Sequence, residues 1–490
     1  MKFKIIIFII VIISAYLRIY NIEQKNLWFD EIYSWNISQG NIVEIVTETS
    51  GDIHPPFYYI LLKFWNNIFS DSIFSMRMLS VLFGILSMYF IYKISKLFLK
   101  DNLQVCLVLL LYAFSPLNIY YSQEVRMLNL NLFLCLGSVY FFFRFLDTSR
   151  NIFALLYLFF TVLGLYTHYF AFLILFSQLC VVIIFYSGKK ISFQTLKNYT
   201  IYLIGINLLY IPWYPVFFEQ TNKGQPWRTE QTFTETGNNI AEYFKNIFLS
   251  PYFNFENNGI NYFSNLLILF IFALMIFSLF KIFNSKTFFK DTTNSIIYFF
   301  FIPLIIAITI SINKSIVLSR YLSILIPYFF IMLVYLSFKI YKIRTAVIIC
   351  LFLILASVYG TNINFNNNFK NNDYRRIISY LEENFKQGDE IIVEPHFMGW
   401  GINYYLNHSN SDLSVPKILG WNLGLQIDSL KNSKDITKVW FVLDYSSLGK
   451  NKYDSLSYLM SEIGYDKIKS KSFYVIPEKV KVEYYRRSDL

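Results

Sequence analysis

Short groups of polar and ionisable residues interrupt an otherwise apolar chain, and these are the residues whose types and spacing could support chemistry. The most prominent group contains the adjacent carboxylates Asp30 and Glu31. Two neighbouring carboxylates can supply a general base, a metal ligand or both. The same pair could instead begin a solvated helix, because acidic side chains favour the positive end of the helix dipole. The pair alone therefore leaves both interpretations open.

Two further groups place an ionisable residue beside a turn or an apolar run. His54 precedes Pro55-Pro56, where a neutral imidazole could bind a metal or donate to an anionic oxygen, although two prolines also mark an ordinary turn. Glu124 and Arg126 lie between two apolar runs. Ionisable groups at such a boundary are costly unless they pair with each other or line a cavity, so they indicate an ion pair or a site.

His168 and Arg320 complete the set, and each lies at the end of an apolar run, in T-H-Y and S-R-Y respectively. Arginine is well suited to phosphate, because its planar fork reaches two oxygens at once. A single histidine or arginine at a helix end can also be an interfacial anchor. All five groups fall on one side of the membrane in the topology that the basic residues indicate. This shared location favours a functional site over five separate structural roles.

The composition indicates a polytopic membrane protein. Of 490 residues, 55% are hydrophobic, 20% are aromatic and only 15% are charged, whereas soluble domains are about a quarter charged. Apolar runs long enough to cross a bilayer recur through the first 360 residues. About eleven membrane helices are predicted, over residues 5–20, 76–99, 103–120, 127–146, 152–168, 170–187, 199–217, 262–283, 296–312, 321–339 and 345–360.

The net charge of +11 indicates membrane topology rather than a nucleic-acid partner. Residues 361–490 are almost neutral, with 17 basic and 16 acidic residues, so the excess lies in the apolar part. Lysines and arginines follow every second predicted helix, as the positive-inside rule requires when the N-terminus is cytoplasmic. An odd number of spans then places residues 361–490 outside the cytoplasm. We therefore expect a multi-pass protein of the cell membrane.

The predicted fold class is an all-α polytopic membrane domain followed by an extracytoplasmic α/β domain. The membrane domain covers residues 1–360, with outer loops at 21–75 and 218–261. The α/β domain covers residues 361–490, in which helix-like and strand-like segments alternate. The helix-like segments are 373–386 and 452–463, and the strand-like ones are 389–394 and 437–444.

The order of the polar groups resembles the family 39-like glycosyltransferases of the C-type superfamily, which include protein O-mannosyltransferases and bacterial aminoarabinose transferases. Asp-Glu in the first outer loop, then His-Pro-Pro and a helix, then S-Q-E-x-R after the third span carry the resemblance. T-H-Y and the later R-Y resemble the prokaryotic members. The resemblance implies a transferase that moves a sugar from a polyprenyl-phosphate carrier to an extracytoplasmic acceptor, with inversion at the anomeric carbon.

The resemblance also implies roles for individual residues. Asp30 matches the family's catalytic acidic residue and would be the general base, while Glu31 would assist it or hold a metal. Arg126, beside Glu124 in the second motif, would contact the carrier phosphate. The weaker matches are residues that would line the donor site or hold its phosphate, namely His54, His168 and Arg320.

The sequence does not identify the cofactor or the acceptor. A divalent metal is one option, because metal dependence varies within the superfamily, and its candidate ligands are Glu31, His54 and Glu124. The expected partners are a polyprenyl-phospho-sugar donor, a glycan, lipid or protein acceptor, and the lipid bilayer.

The alternative function is transport or flipping of a lipid-linked saccharide. Transporters hold ionisable residues near the bilayer midplane and often contain inverted repeats. Here the informative charges gather on one face, and the sequence shows no repeat. A receptor or scaffold would leave the polar groups unexplained, so the sequence favours a transferase.

Overall fold

The computed structural model describes most of the chain as two compact units. The described residues are 2–223, 231–251, 258–283, 292–366, 373–386, 389–394, 396–409, 427, 430–431, 436–444, 450–475 and 478–488. The first unit, named the helical unit, comprises Met1–Ile22, Gly40–Ser70 and Ser75–Asn367. The second, named the tail unit, comprises Glu23–Gln39, Asp71–Phe74 and Asn368–Leu490.

This division differs from the predicted one in the first outer loop. Hydropathy assigns all of residues 21–75 to the membrane domain, whereas Glu23–Gln39 and Asp71–Phe74 fold with the C-terminal residues. Packing explains the difference, because Trp35 meets Tyr404 edge-on with ring centroids 5.1 Å apart. A hydropathy pattern shows that a segment has an apolar face, but not which partner covers that face.

The described part of the helical unit is built from helices. They are α1 (Lys2–Ile19), α3 (Ile42–Gly51), α4 (Phe57–Phe69), α5 (Ile73–Phe98), α6 (Asn102–Phe114), α7 (Pro116–Ser122), α8 (Leu128–Thr148), α9 (Asn151–Leu165), α10 (Ala171–Ser187), α11 (Phe193–Tyr210), α12 (Tyr214–Lys223), α13 (Phe233–Phe248), α14 (Asn258–Phe283), α15 (Ser295–Ser311), α16 (Ser319–Leu322), α17 (Ile326–Ile340) and α18 (Ile343–Asn366). The first two residues of α5 belong to the tail unit. α2 (Phe29–Gln39) lies wholly in the tail unit.

Every predicted apolar run coincides with helix, and the protein is a multi-pass membrane protein. In the described ranges, seven helical segments are long and apolar enough to cross a membrane, or eight if the bent pair α6–α7 is one span. α9 and α10 are apolar but have only 15 and 17 residues. α1 carries Lys2, Lys4 and Arg18 within 18 residues. The total of eleven spans therefore stays a prediction.

The predicted third span is broken into α6 and α7, which meet at an angle of 56°. Ser115 is extended (φ −63°, ψ 115°) because the ring of Pro116 disfavours helical backbone in the residue before it. The break frees carbonyl groups that have no water to bond in an apolar interior. Thr361 Oγ1 donates to the Phe114 carbonyl over 2.8 Å, and Asn364 Nδ2 donates to that of Pro116 over 2.9 Å.

Arg18 is completely buried, and it donates hydrogen bonds to further carbonyls at the break between α6 and α7. Its Nη1 and Nη2 atoms donate to the carbonyls of Ala113 and Tyr112, each over 3.4 Å. Its Nε donates to Ser122 Oγ over 3.2 Å. Carbonyls at a helix C-terminus carry partial negative charge, so the guanidinium and the end of α6 stabilise each other.

The tail unit is an α/β structure around one sheet. Its elements are α2 (Phe29–Gln39), α19 (Tyr374–Asn384), β1 (Glu390–Glu394), α20 (His396–Asn407), β2 (Lys438–Asp444), α21 (Lys450–Glu462), β3 (Tyr465–Val475) and β4 (Glu478–Arg487). The strand order is β1-β2-β4-β3, with β1 parallel to β2 and the other pairs antiparallel. On β2, Val439, Phe441 and Leu443 alternate with Trp440 and Val442, and all five are buried, as expected of a central strand.

The predicted α/β class of the C-terminal residues is confirmed, together with α19, β1, β2 and α21. The sequence does not identify β3 or β4. β3 is an edge strand rich in lysine and serine, and Ile468 on it is 46% exposed. Polar edge strands protect a sheet from further pairing, but they lose the hydrophobic alternation by which strands are recognised.

An ion pair joins two segments of the tail unit. Asp71 Oδ1 lies 3.1 Å from His408 Nε2, and Asp71 Oδ2 accepts from Trp35 Nε1 over 2.8 Å. The hydrogen bond to His408 lowers the pKa of Asp71 from 3.8 to about 2, and the same bond raises the pKa of His408 above 6.5.

These two pKa shifts predict a pH window for the stability of the tail unit. The contribution of Asp71 is present above its unfolded pKa of 3.8 and is lost as the pH falls toward about 2. That of His408 is present below 6.5 and is lost as the pH rises through its elevated pKa. The stabilisation should therefore be largest near pH 5 and weaker at pH 9.

Thermal unfolding of the wild-type protein and of His408→Gln, measured from pH 5 to pH 9, checks this window. The difference in melting temperature should shrink as the pH rises. Introducing Asp71→Asn should remove that pH dependence, and an equal difference at both ends would contradict the assignment.

Candidate functional site

In the helical unit the two predicted histidines lie side by side. His54 follows α3, and His168 lies between α9 and α10; both are buried, and their ring centroids are 5.7 Å apart. The segments meet because the Phe57 amide, at the start of α4, donates to the Tyr166 carbonyl over 3.1 Å. His-Pro-Pro and T-H-Y therefore form one structural feature, although more than a hundred residues separate them.

The hydrogen bonds of each ring define what it can offer to a ligand. His168 Nδ1 accepts from the Phe170 amide over 3.1 Å, so the neutral ring carries its proton on Nε2. A proton on Nε2 can be donated to an anionic oxygen. His54 Nδ1 lies 3.4 Å from Asp52 Oδ2, and this carboxylate would hold the ring in one orientation.

The R-Y motif lies beside the histidines. The Tyr321 ring is 5.5 Å from the His168 ring, centroid to centroid, and Tyr321 is 6% exposed. The guanidinium carbon of Arg320 lies 5.2 Å from the Tyr321 ring centroid. Three of the predicted groups, carrying His54, His168 and Arg320, are thus brought together.

Glu124 and Arg126 form a tight loop after α7, and both are buried, with exposures of 1% and 8%. The Arg126 amide donates to the Glu124 carbonyl over 2.8 Å. Ser80 Oγ of α5 donates to the Glu124 carbonyl over 2.5 Å. Gln123 Nε2 donates to the Tyr20 carbonyl over 2.8 Å. α5 and the turn that follows α1 therefore hold the loop that carries both ionisable residues.

The same region connects this loop to the R-Y motif. Tyr121, buried at the end of α7, interacts electrostatically with Glu124, with Arg320 and with Glu242 of α13. The Tyr121 ring also meets the ring of Tyr120 edge-on, with centroids 5.0 Å apart. Acidic and basic side chains thus share one polar neighbourhood in an otherwise apolar unit.

A cavity of about 570 Å³ opens beside the two histidines. Aromatic and aliphatic side chains supply most of its wall. Its lining residues are Ile53, His54, His168, Tyr169, Phe170, Phe172, Leu173, Phe217, Gln220, Thr221, Lys223, Ile310, Asn313, Lys314, Ile316 and Tyr321. Two lysines and two histidines are among them, so the cavity combines apolar walls with basic polar groups.

Gln220 of α12 holds the wall of this cavity together. Its Nε2 donates to the Thr49 carbonyl at the end of α3 over 2.7 Å, and its Oε1 accepts from the Tyr169 hydroxyl. Lys314 Nζ donates to the carbonyl of Thr221, the residue after Gln220. The end of α3, α12 and the segment after α15 therefore meet around the cavity through hydrogen bonds of Gln220 and Lys314.

Sequence reasoning missed Gln220, Lys223 and Lys314. Lys314 gave a usable signal, because it is a basic residue in a predicted outer segment, where lysine and arginine are scarce. Gln220 gave none, since an uncharged polar residue at the end of an apolar run is ordinary. Its role comes from which carbonyls the fold brings within reach.

Asp30 and Glu31 belong to the tail unit, in the first turn of α2. Glu31 is completely buried, and its Oε2 accepts from the Trp28 amide over 3.3 Å, which completes the bonding of the helix start. Asp30 is partly exposed, and its carbonyl accepts from Ser34 Oγ over 2.9 Å. The pair is therefore a helix start, and its two side chains differ in environment.

The metal expectation stays a prediction. Within the ranges that the structure describes, no three His, Cys, Asp or Glu side chains are grouped as metal ligands would be. Of the candidate ligands, His54 and Glu124 lie in the helical unit, while Glu31 lies in the tail unit and caps α2.

Comparisons with known proteins bear on the fold and on the central residues. Residues 53–214 match the family model described as dolichyl-phosphate-mannose-protein mannosyltransferase. This stretch contains His54, Glu124, Arg126 and His168. No curated protein sequence matches the chain.

Two kinds of solved structure share the fold. ArnT from Cupriavidus metallidurans in the apo state is 10% identical, with a TM-score of 0.59 over 97% of both chains. The same protein bound to undecaprenyl phosphate is 9% identical, with a TM-score of 0.58 over the same shares. The apo oligosaccharyltransferase of Archaeoglobus fulgidus is 13% identical, with a TM-score of 0.51 over 93% of this chain and 71% of that one.

The fold class is thus confirmed, because the likeness to ArnT extends over nearly the whole of both chains. The family-model match adds sequence information over the segment that carries His54, the pair Glu124 and Arg126, and His168. This chain has the fold of the C-type membrane glycosyltransferases, and the predicted resemblance to their family 39-like members is confirmed.

Proposed function

We propose that this chain is an integral-membrane glycosyltransferase that moves a sugar from a polyprenyl-phosphate carrier to an extracytoplasmic glycan, lipid or protein, with inversion. Asp30 is the general base. His54, His168, Arg126, Arg320 and Lys314 hold the carrier phosphate, with Glu124 holding its loop in place.

The cavity beside the two histidines is the observation that carries this proposal. A carrier lipid has an apolar chain and an anionic phosphate, and this cavity offers apolar walls together with His168 and Lys314. Apolar pockets with a few placed polar groups are the usual form of a ligand site. The solved ArnT complex, which shares the fold, is bound to undecaprenyl phosphate.

The reaction needs a base, an electrophile and a stabilised leaving group. Asp30 takes the proton of the acceptor hydroxyl, whose oxygen attacks the anomeric carbon. The bond from that carbon to the phosphate oxygen breaks, and the phosphate leaves on the carrier with both electrons. Direct displacement from the opposite face inverts the anomeric centre. Arginine and lysine stabilise the charge that develops on the phosphate.

Glu31 supports this chemistry through the backbone. Its buried carboxylate bonds the Trp28 amide, so its role is to fix the first turn of α2. The partly exposed neighbour, Asp30, is the carboxylate that an acceptor can reach. The assignment therefore separates the two adjacent acids by burial.

The proposed orientation places the N-terminus in the cytoplasm and residues 361–490 outside. A reporter active only outside the cytoplasm, fused after residue 365, should be active, because the basic loops fix the opposite side inside. The same reporter fused after residue 189 should be silent. Activity in the second fusion only would reverse the topology and remove Asp30 from the outer face.

Substitution of the base tests the chemistry directly. Asp30→Asn should lower transfer from a polyprenyl-phospho-sugar by about 10²–10⁴-fold, since the amide cannot accept the proton. A panel of purified donors, with mass analysis of the acceptor, measures the rate and identifies the sugar. Asp147→Asn is the matched control, because Asp147 pairs with Arg144 at the exposed end of α8. Full activity of Asp30→Asn would refute the assignment.

Substitution in the cavity tests donor binding. Lys314→Gln should raise the KM for the carrier-linked donor by about 10-fold with a smaller change in kcat, because a charge-assisted bond to phosphate is lost. Lys197→Gln, on exposed α11, is the matched control. An unchanged KM in Lys314→Gln would remove the cavity from the donor site.

The transfer assay also separates the alternative function. The broken span α6–α7 is a feature that transporters use at their binding sites. A flippase would move the labelled donor across reconstituted vesicles without transferring its sugar. Sugar transfer that depends on Asp30 supports the transferase instead.

A further inference from the structure

Helix α20 of the tail unit presents a row of aromatic residues to α2. Trp400 stacks on Phe29 with ring centroids 6.3 Å apart, and Tyr404 meets Trp35 edge-on. Tyr405, the next residue, reaches the chain just before α2. Contacts at both ends of α2 thus come from one helix of the C-terminal domain.

The Tyr405 hydroxyl makes the contact nearest to the carboxylate pair. It accepts from the Leu27 amide over 2.8 Å and donates to Asn26 Oδ1 at 3.4 Å. Leu27 is fully buried, so its amide depends on this hydroxyl for a bond that water would otherwise make. Asp30 follows three residues later.

The Tyr405 ring is itself held from behind. It stacks on Tyr374 of α19, with centroids 5.6 Å apart and planes 16° from parallel. A side chain at Gly401 would lie only 2.4 Å from the Tyr374 ring, so this glycine permits the stack. Asn26 Nδ2 donates to Asp373 Oδ1 over 3.2 Å, which ties the same segment to the start of α19.

The far end of α2 is secured by a second set of bonds. Trp35 Nε1 donates to Asp71 Oδ2, and Asp71 Oδ1 faces His408 at the end of α20. The Tyr404 hydroxyl donates to the Asp71 carbonyl over 3.2 Å. A helix fixed at both ends can neither slide nor rotate without breaking several of these bonds.

We propose that α20 positions the catalytic helix, and that Tyr405 is the residue that sets the place of Asp30 through the Leu27 amide. This inference rests on the proposed function, in which Asp30 is the base. The inference assigns a role to the C-terminal domain, which would hold α2 of the first outer loop in a fixed position. Misplacing a reacting group by about 1 Å can cost about 100-fold in rate, so a single hydrogen bond at the helix start matters to catalysis.

Tyr405→Phe tests the proposal, because it removes the hydroxyl and keeps the ring that stacks on Tyr374. We expect kcat to fall about 10-fold, with the KM for the carrier-linked donor unchanged. Hydrogen exchange of the peptide containing Leu27 should become faster. Gly401→Ala, which displaces Tyr374, should act in the same direction by a second route.

Tyr465→Phe is the matched control. The Tyr465 hydroxyl donates to the Ile436 carbonyl inside the sheet of the same unit, so the variant loses a comparable bond away from α2. It should leave both kcat and the exchange of the Leu27 peptide at wild-type values. A purely structural role for Tyr405 would make the two variants behave alike, and that result would overturn the proposal.

A double-variant cycle links the hydroxyl to the base. If Tyr405 acts through Asp30, then Tyr405→Phe should cost less in Asp30→Glu than in the wild type, because that base is already misplaced. Faster exchange with an unchanged kcat would overturn the positioning role alone. A wild-type protein that transfers no sugar from any donor would overturn the proposed function, and the positioning role with it.

Discussion

The need to bond every backbone carbonyl in an apolar interior governs the helical unit. Pro116 breaks the third span, and the break would be costly if its carbonyls stayed unpaired. Arg18, Thr361 and Asn364 supply donors from the first and last helices of the unit. The break thereby joins distant parts of the chain.

The same break directs the loop that carries Glu124 and Arg126. Because α7 leaves α6 at 56°, the chain turns back at Ser122, where Arg18 donates to the serine hydroxyl. A continuous helix would carry this loop onward along the axis of α6. The buried Arg18 therefore helps to fix the backbone that leads into the loop of Glu124 and Arg126.

The sequence predicted the helices that lie on long apolar runs, but not α3 or α13, and it predicted β1 and β2 because both contain short runs of aliphatic and aromatic residues. It singled out Glu124 and Arg126 because charge is expensive beside a bilayer, and the structure buries both side chains. It could not predict partners: that Trp35 would pack on Tyr404, that Gln220 would reach Thr49, or that β3 would form from lysine and serine. Those outcomes depend on contacts between residues far apart in the chain, which a local pattern does not contain.

The two units divide the proposed chemistry between them. The groups proposed to bind phosphate, His168, Arg320 and Lys314, belong to the helical unit, whereas Asp30 belongs to the tail unit, where Tyr405 of α20 contacts the segment before it. In the proposed mechanism, binding and proton transfer therefore depend on separate sets of contacts. Under that mechanism, loss of a contact in the first set should change the affinity for the donor, while loss of one in the second should change the rate of the chemical step. A substitution in the C-terminal domain that lowers kcat at constant KM would indicate that the two units serve separate steps. A domain that served only stability would change the amount of folded enzyme, but each folded molecule would stay equally fast.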